Sequence, residues 1–421
     1  MSVQPGLARR LGTGDAVMIG LGSMVGAGIF AAFAPAAAAA GAGLLIGLAI
    51  AAVVAYCNAT SSAQLAAQYP TSGGTYVYGR ERLGQWPGFV AGWGYVIGKT
   101  ASCAAMAMTF AAYAVPGPWQ KPVAVAAVLA LAAINYFGVT RTAAATRVIV
   151  SFVLVVLAVV IVAGLTSGAP ALDGTEGLRI QGGWYGVLQS AGLLFFAFAG
   201  YARIATMGEE VKEPQRTIPR AILTALGLAL VIYVLIAASV LMTLGASSVA
   251  SSATPLADVV IARGWAGAEP LVRIGAAAAA LGALLALVAG VGRTSLAMAR
   301  HQDLPRWLAA VHPRYQVPHR AEIALALVVS GIILVADLRD AIGFSSFGVL
   351  VYYLIANIAA ATQEGPHRRY AKAWQGLGAI GCVVLVATLP PTSILAGAAV
   401  LAVGLVYRLV RLRVSSPGPG Q

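Results

Sequence analysis

The sequence predicts an all-α membrane protein of about twelve transmembrane helices, and three observations lead there. Of 421 residues, 59% are hydrophobic and only 10% are charged, a balance that water-soluble domains do not show. The apolar residues are gathered in long runs, and a bilayer core about 30 Å thick needs roughly 20 of them per helix. The basic residues lie between the runs, mostly on one side.

In order, the runs fall at about 15–40, 44–66, 88–113, 122–139, 145–167, 184–208, 221–245, 270–298, 322–337, 341–362, 374–389 and 391–408. The loops between them are too short for a second soluble domain. Residues 1–413 therefore read as one transmembrane domain, and the Ser, Pro and Gly rich stretch 414–421 as a disordered tail. The first run follows Arg9 and Arg10, but it outlasts the roughly 7–15 residues of a secretory segment and is expected to be retained.

The net charge of +13 invites comparison with nucleic-acid binders, so its placement decides. With a cytoplasmic N-terminus and twelve crossings, 20 of the 27 Lys and Arg fall on the cytoplasmic side. Lys121, Arg179, Arg263, Arg273 and Arg339 fall outside, and Lys99 and Arg203 within runs. This is the positive-inside pattern, which orients a membrane protein and implies no polyanionic partner. The expected location is the inner or plasma membrane, multi-pass, with both termini cytoplasmic, the lipid bilayer as partner and no nucleic acid. Cys57, Cys103 and Cys382 sit in apolar runs and read as small hydrophobes. His301, His312, His319 and His367 are peripheral, so neither a metal nor any other cofactor is indicated.

The first ten runs make two halves of five, about 15–167 and 184–362, and each half opens with an interrupted helix. The interruptions are Gly22-Ser23-Met24-Val25-Gly26-Ala27-Gly28 and Phe198-Ala199-Gly200-Tyr201. Because five is odd, the second half enters from the opposite face. This 5+5 inverted repeat brings broken helices 1 and 6 together, antiparallel, near mid-membrane. Runs 11 and 12, about 374–408, lie outside the repeat, with Pro390-Pro391 turning between them. They are expected to be accessory helices that pack or join a homo-oligomer.

Glycines 22, 26 and 28 weaken the first helix and free backbone groups. Such groups survive at that depth only when buried in protein or lining water. A carboxylate can take the freed N–H groups and an ammonium the freed carbonyls, so one zwitterionic head satisfies both helices. Gly22 and Gly26 also fit a small-xxx-small packing face, which remains the competing reading. A dinucleotide fingerprint is excluded, since no strand precedes the glycines.

Five segments in order carry a resemblance. They are Gly22-Ser23-Met24-Val25-Gly26-Ala27-Gly28-Ile29-Phe30; Tyr69-Pro70-Thr71-Ser72-Gly73-Gly74-Thr75-Tyr76; Phe196-Ala197-Phe198-Ala199-Gly200-Tyr201; the stretch Glu209 to Arg220; and Met298-Ala299-Arg300 with His312-Pro313-Arg314. Together they resemble the amino acid, polyamine and organocation superfamily over nearly the whole chain. The resemblance implies a leucine-transporter-type fold working by alternating access, hence an amino acid permease. By motif position it implies a substrate site of Met24, Val25, Gly26, Ala27 and Gly28 with Phe195, Phe196, Ala197, Phe198, Ala199 and Gly200. The carboxylate would meet N–H groups at Val25 to Gly28, and the amine carbonyls near Met18 to Ser23 and Phe196 to Ala199. Met24, Phe195 and Phe198 would shape the side-chain pocket.

The sequence also departs from that pattern. Where many relatives place an acidic residue after the Gly-aromatic pair, it has Ala202 and then Arg203, and Ser151 to Leu154 lacks the lysine some relatives carry in run 5. Instead Lys99 lies midway along run 3. A charge there costs about 2.5–3.5 kcal/mol on insertion scales and needs a cavity or a partner. Lys99 is read as a coupling cation or as a staple on helix-end carbonyls. Arg203 either caps freed carbonyls or answers a carboxylate on the substrate. Glu209 and Glu210 with Arg293 and Arg300 read either as a cytoplasmic gate or as solvated loop charges. Sodium is disfavoured, because Ile274 to Gly292 offers no Ser, Thr, Asn or acidic ligand; proton coupling or exchange is expected instead.

No run holds a catalytic constellation, so an enzyme is not expected. The two in-run charges are too few for a channel's charged ring. A transporter-like substrate sensor, or a carrier for a related amine or polyamine, stays open. The lack of mid-run carboxylates favours a small neutral amino acid.

Overall fold

A computed structural model describes residues 11–26, 28–71, 73–138, 143–166 and 179–415, and among them every regular element is a helix. The first run is α1 (Thr13–Val25), α2 (Gly28–Ala31) and α3 (Phe33–Ala40). The helix starts where Gly12 N–H donates to the Asp15 carboxylate at 3.2 Å, satisfying a backbone donor that the first turn leaves orphaned. Then come α4 (Leu44–Gln68), a short α5 (Thr75–Leu83), α6 (Gln85–Ala114), α7 (Gln120–Tyr136) and α8 (Ala143–Thr166). The second half opens with α9 (Gly183–Phe198), a 3-10 turn over Ala199–Tyr201 and α10 (Ala202–Ala205). It continues through α11 (Pro214–Ser251), α12 (Pro255–Ala262), α13 (Glu269–Arg300), α14 (His319–Val335) and α15 (Leu338–Ala361), followed by α16 (Lys372–Ala387) and α17 (Pro391–Ser415).

Each predicted run coincides with a helix or, for the first and sixth, with a broken one. Among the described residues, nine helical segments are long and apolar enough to cross a membrane. The other three runs coincide with α6, α14 and α16. The expected tail is entered by α17, which runs to Ser415; residues 416–421 lie outside the described part.

Two short backbone bridges fix the relation of the broken helices. At the N-terminal face, Leu11 N–H donates to Glu210 O at 3.1 Å and Lys212 N–H to Leu11 O at 2.9 Å. At the opposite face, Ala42 N–H donates to Arg179 O at 3.2 Å and Gln181 N–H to Ala40 O at 2.9 Å. The start of the first run thus meets the end of the sixth, and the end of the first meets the start of the sixth. The two run antiparallel, as expected.

Around them the bundle is held by polar contacts that lipid cannot replace. Between α4 and α15, Ser61 donates to Asn357 Oδ1 at 2.7 Å and Asn357 Nδ2 to Asn58 Oδ1 at 2.6 Å. At the N-terminal face, Asp303 is 4% exposed and accepts from the Tyr76 hydroxyl at 2.8 Å, from Arg80 at 2.9 Å and from Arg408 of α17. Arg408 also lies over the rings of Trp86 and Phe89, 4.9 and 4.8 Å from their centroids, which adds cation–π attraction to the ion pair. Burial and the Asp303 carboxylate push the Tyr76 hydroxyl up from its ordinary range, which keeps it a donor. This node ties α17 to α5, α6 and the loop after α13.

Candidate functional site

The break in the first helix is narrower than the predicted 22–28. Helix α1 continues to Val25 and resumes at Gly28; Ala27 lies outside the described residues. Gly22 and Ser23 are regular helix, and the Ser23 hydroxyl donates to Ile19 O at 2.9 Å. The carbonyls of Met18 to Leu21 therefore stay in the helix ladder, and freed carbonyls begin only in the last turn. In the sixth helix the break is the 3-10 turn at Ala199–Tyr201.

The breaks touch. A Cβ on Gly200 would fall 2.4 Å from the carbonyl carbon of Ser23 and 2.5 Å from Met24 N, and one on Gly28 would fall 2.4 Å from Ala197 Cα. Only glycine permits backbone to approach backbone so closely at these points.

Side chains from other helices take the freed carbonyls. The Tyr233 hydroxyl of α11 lies 2.7 Å from Met24 O and 2.9 Å from Ala197 O, one on each broken helix. With a single proton, it donates to one at a time. Lys99, 6% exposed, extends from α6 and donates from Nζ to Ala199 O at 3.3 Å. The contact joins the ammonium to a carbonyl at the sixth-helix break. A cation on an unwound carbonyl is a charge-assisted bond, which offsets part of the cost of burying the ammonium.

A cavity of about 710 Å³ opens beside these contacts. Of the predicted substrate residues, Met24, Gly28, Phe196, Ala199 and Gly200 line it, together with Lys99 and Arg203. Val25 and Gly26 instead face a small pocket against α8. Phe195 and Phe198 are fully buried and pack edge-on against Tyr353 and Tyr233; they and Ala197 are not cavity-lining residues. The helical period accounts for this: Phe196 is turned about 100° from each neighbour, and only it faces inward. Tyr95, Ser102, Asn135 and Thr146 add polar wall that no sequence motif marked. Ser102 in turn hydrogen-bonds Ser345 at 2.7 Å.

The cavity reaches the N-terminal face, where Leu11, Thr206, Glu210, Arg293 and Ala297 line it. Toward the opposite face it ends at an apolar cluster that includes Ala31, Ala39, Leu193, Phe196 and Ile342. Beyond this, Phe30 packs edge-on against Tyr113 at 5.7 Å, and Arg273 donates to Tyr113 O at 3.2 Å.

The predicted charges lie along the cavity and its mouth. Arg203 turns from the freed carbonyls to Thr206 Oγ1 at 3.2 Å and Glu210 at 3.4 Å. Arg293 is exposed to the cavity, Arg300 is exposed at the end of α13, and Glu209 is half-buried. Glu210 thus pairs with Arg203 of its own segment while the cavity is open at this face. The helices also carry more interior charge than the two residues read from sequence. Arg293 lies within α13, and Glu322 and Arg408, 3% and 4% exposed, are buried within α14 and α17.

The amino acid permease family profile matches residues 15–418. A protein named an uncharacterized transporter in Mycobacterium tuberculosis is 59% identical over 411 residues, covering 96% of this chain and 92% of its own length. A branched-chain amino acid permease of Bacillus subtilis is 24% identical over 448 residues, covering 99% and 95%. A cationic amino acid transporter of Homo sapiens is 27% identical over 376 residues, covering 84% of this chain and 59% of its own length.

Proposed function

Because this chain belongs to the amino acid permease family, we propose that it is a secondary active carrier moving a small neutral amino acid across the cytoplasmic membrane by alternating access. The observation that carries the reading is the 710 Å³ cavity at the junction of two broken, antiparallel helices. Its size suits a small molecule, and its position is where carriers of this design hold substrate. In this proposal the twelve runs are twelve crossings arranged as a 5+5 inverted repeat, with α16 and α17 as accessory helices. The N-terminal face is cytoplasmic, and the cavity is open inward.

Within the site, the N–H groups around Gly28 take the substrate carboxylate, and Met24 and Phe196 shape the side-chain pocket. Ala197 O and Ala199 O already have donors in Tyr233 and Lys99. The substrate amine therefore competes with, or displaces, a built-in donor. Lys99 holds the sixth-helix break as a fixed cation.

Charge at the wall supports the neutral class. Lys99, Arg203 and Arg293 line the cavity against the single carboxylate of Glu210. A cationic side chain would meet a wall of net positive charge there. Proton coupling or exchange is preferred to sodium, since the α13 wall beside the breaks supplies Ala283, Leu285, Ala286, Leu287, Ala289 and Gly290, a poor ligand set for a hard cation.

Counterflow in proteoliposomes tests the proposal. Labelled neutral amino acid should enter vesicles preloaded with the same unlabelled amino acid, with or without sodium. Binding without counterflow would make the protein a sensor, and uptake that collapses in choline would make it sodium-driven.

A further inference from the structure

Behind the cavity-lining Arg293 lies a buried feature that substrate binding does not use. Glu322, in the first turn of α14, is 3% exposed, and its Oε2 atom has no hydrogen-bond partner. It packs over Gly292: a Cβ there would sit 3.0 Å from Glu322 Cγ and 3.5 Å from Oε1. Glycine at 292 thus makes room for the carboxylate beside Arg293, which faces the cavity. An orphaned buried carboxylate oxygen is expensive unless it binds something, and the smallest ligand that satisfies it is a proton.

A route to that oxygen is also present. His319 precedes Glu322 by three residues on the same helix and shares its face, and His319 Nδ1 is buried without a partner. The His319 ring packs against His312 at 5.5 Å and Tyr136 at 6.1 Å. His312 is partly exposed at the N-terminal face. Its Nδ1 accepts the backbone N–H groups of Arg314 and Tyr315, which leaves Nε2 available. An imidazole between bulk water and a buried carboxyl suits proton relay.

The charged surroundings are few. On α13, Arg293 is the charge that acts on Glu322 among the described residues, and Arg293 is itself within electrostatic reach of Glu210 and Arg203. On its own helix the titratable neighbours are His319 and the exposed Arg320. From α7, the preceding loop and the 3-10 turn at 306–309 come Tyr136, His312, Arg314, Tyr315 and Arg306, none of which lines the cavity.

We propose that Glu322 is the proton-binding carboxyl of this carrier, loaded from the N-terminal face through His319, and that its protonation state decides whether Arg293 is held against α14 or released toward Glu210 at the cavity mouth. The proton passes from solvent through His319 to Glu322 while the mouth is open, and leaves to the opposite face once the mouth has closed and the cavity opens there. With Glu322 ionised, Arg293 has a buried partner and the mouth stays open. With Glu322 neutral, Arg293 turns to Glu210 and the mouth can close. This deepens, and rests on, the proton-coupled reading of the same site.

The test separates coupling from transport. In proteoliposomes with a neutral amino acid as probe, Glu322→Gln should keep counterflow but lose accumulation driven by a pH gradient, and Glu322→Asp should recover it. A purely structural Glu322 would move both readouts together, and that result overturns the proposal. So does gradient-driven accumulation that persists in Glu322→Gln. Should Glu322→Gln not fold, the infrared difference spectrum of the wild type on substrate addition decides: a protonated-carboxyl band that changes, and shifts in Glu322→Asp, supports the assignment, and no such band overturns it. A wild type with counterflow but no response to a pH gradient removes the coupling alone. A wild type with no counterflow removes the carrier reading itself.

Discussion

Two side chains, Tyr233 and Lys99, hold the carbonyls that the broken helices release, and their removal has different expected costs. Tyr233→Phe strips the donor shared by Met24 O and Ala197 O. An unsatisfied buried carbonyl costs about 1–3 kcal/mol. The variant should therefore melt lower than the parent in a thermal-shift assay and transport less; an unchanged melting temperature would show that the hydroxyl is incidental. Lys99→Met also orphans a carbonyl, but it relieves the burial of an ammonium, worth about 2.5–3.5 kcal/mol on insertion scales. The two terms nearly cancel, so melting should change little while uptake falls because the break is no longer pinned. Full uptake with the parental pH profile would contradict this. Lys99 was legible in the sequence because a lysine midway along an apolar run demands a partner. Tyr233 was not, since a tyrosine in α11 carries no linear sign of which carbonyls it reaches. The acceptors of Arg203 were hidden for a related reason: Thr206 and Glu210 come into range only once the turn after α10 is formed.

At the level of elements, the helices were recoverable because lipid demands long apolar runs, and the two interruptions because glycine clusters and a Gly-aromatic pair disturb those runs. Their exact extent was not. Composition weakens the whole stretch 22–28, whereas contact with the sixth helix at Gly200 and Gly28 determines where it parts. Gly200→Ala should abolish transport, because its Cβ has only the Ser23–Met24 backbone to push against. Gly227→Ala, on α11 with nothing within 4 Å, serves as the control, and a transport-competent Gly200→Ala would argue that the breaks can separate. Helix α17 makes a sharper energetic claim than its sequence suggested. Arg408 reads as one more basic residue at a helix end, yet it is a buried partner of Asp303. Removing one member of a buried ion pair costs about 3–5 kcal/mol. Asp303→Asn should thus lower the melting temperature far more than Glu213→Gln, whose pair with Arg216 is exposed. Equal shifts would mean that the node contributes no more than a surface pair.

For the molecule as a whole, one face is open and the other shut, and this can be read by chemistry. Cys57, Cys103 and Cys382 are fully buried, so the background to thiol labelling is low. A Thr206→Cys variant should react with a membrane-impermeant maleimide supplied at the N-terminal face and be shielded by substrate, while Phe30→Cys should not react. Reversal of that pattern would place the opening on the wrong side. None of this asymmetry was available from sequence. Which face is closed depends on tertiary packing around Phe196 and Tyr113, contacts between residues far apart in the chain.

The bridges Leu11–Val211 and Gly41–Ile180 join the ends of the first and sixth helices. Under the alternating-access proposal, helices laced at both ends do not slide past one another but swing together, like a seesaw plank, against the rest of the bundle. The fulcrum then lies where Tyr233 and Lys99 grip the plank from α11 and α6. A disulfide engineered between positions 11 and 211 should leave transport intact, whereas a tether from the plank to α11 or α6 should stop it.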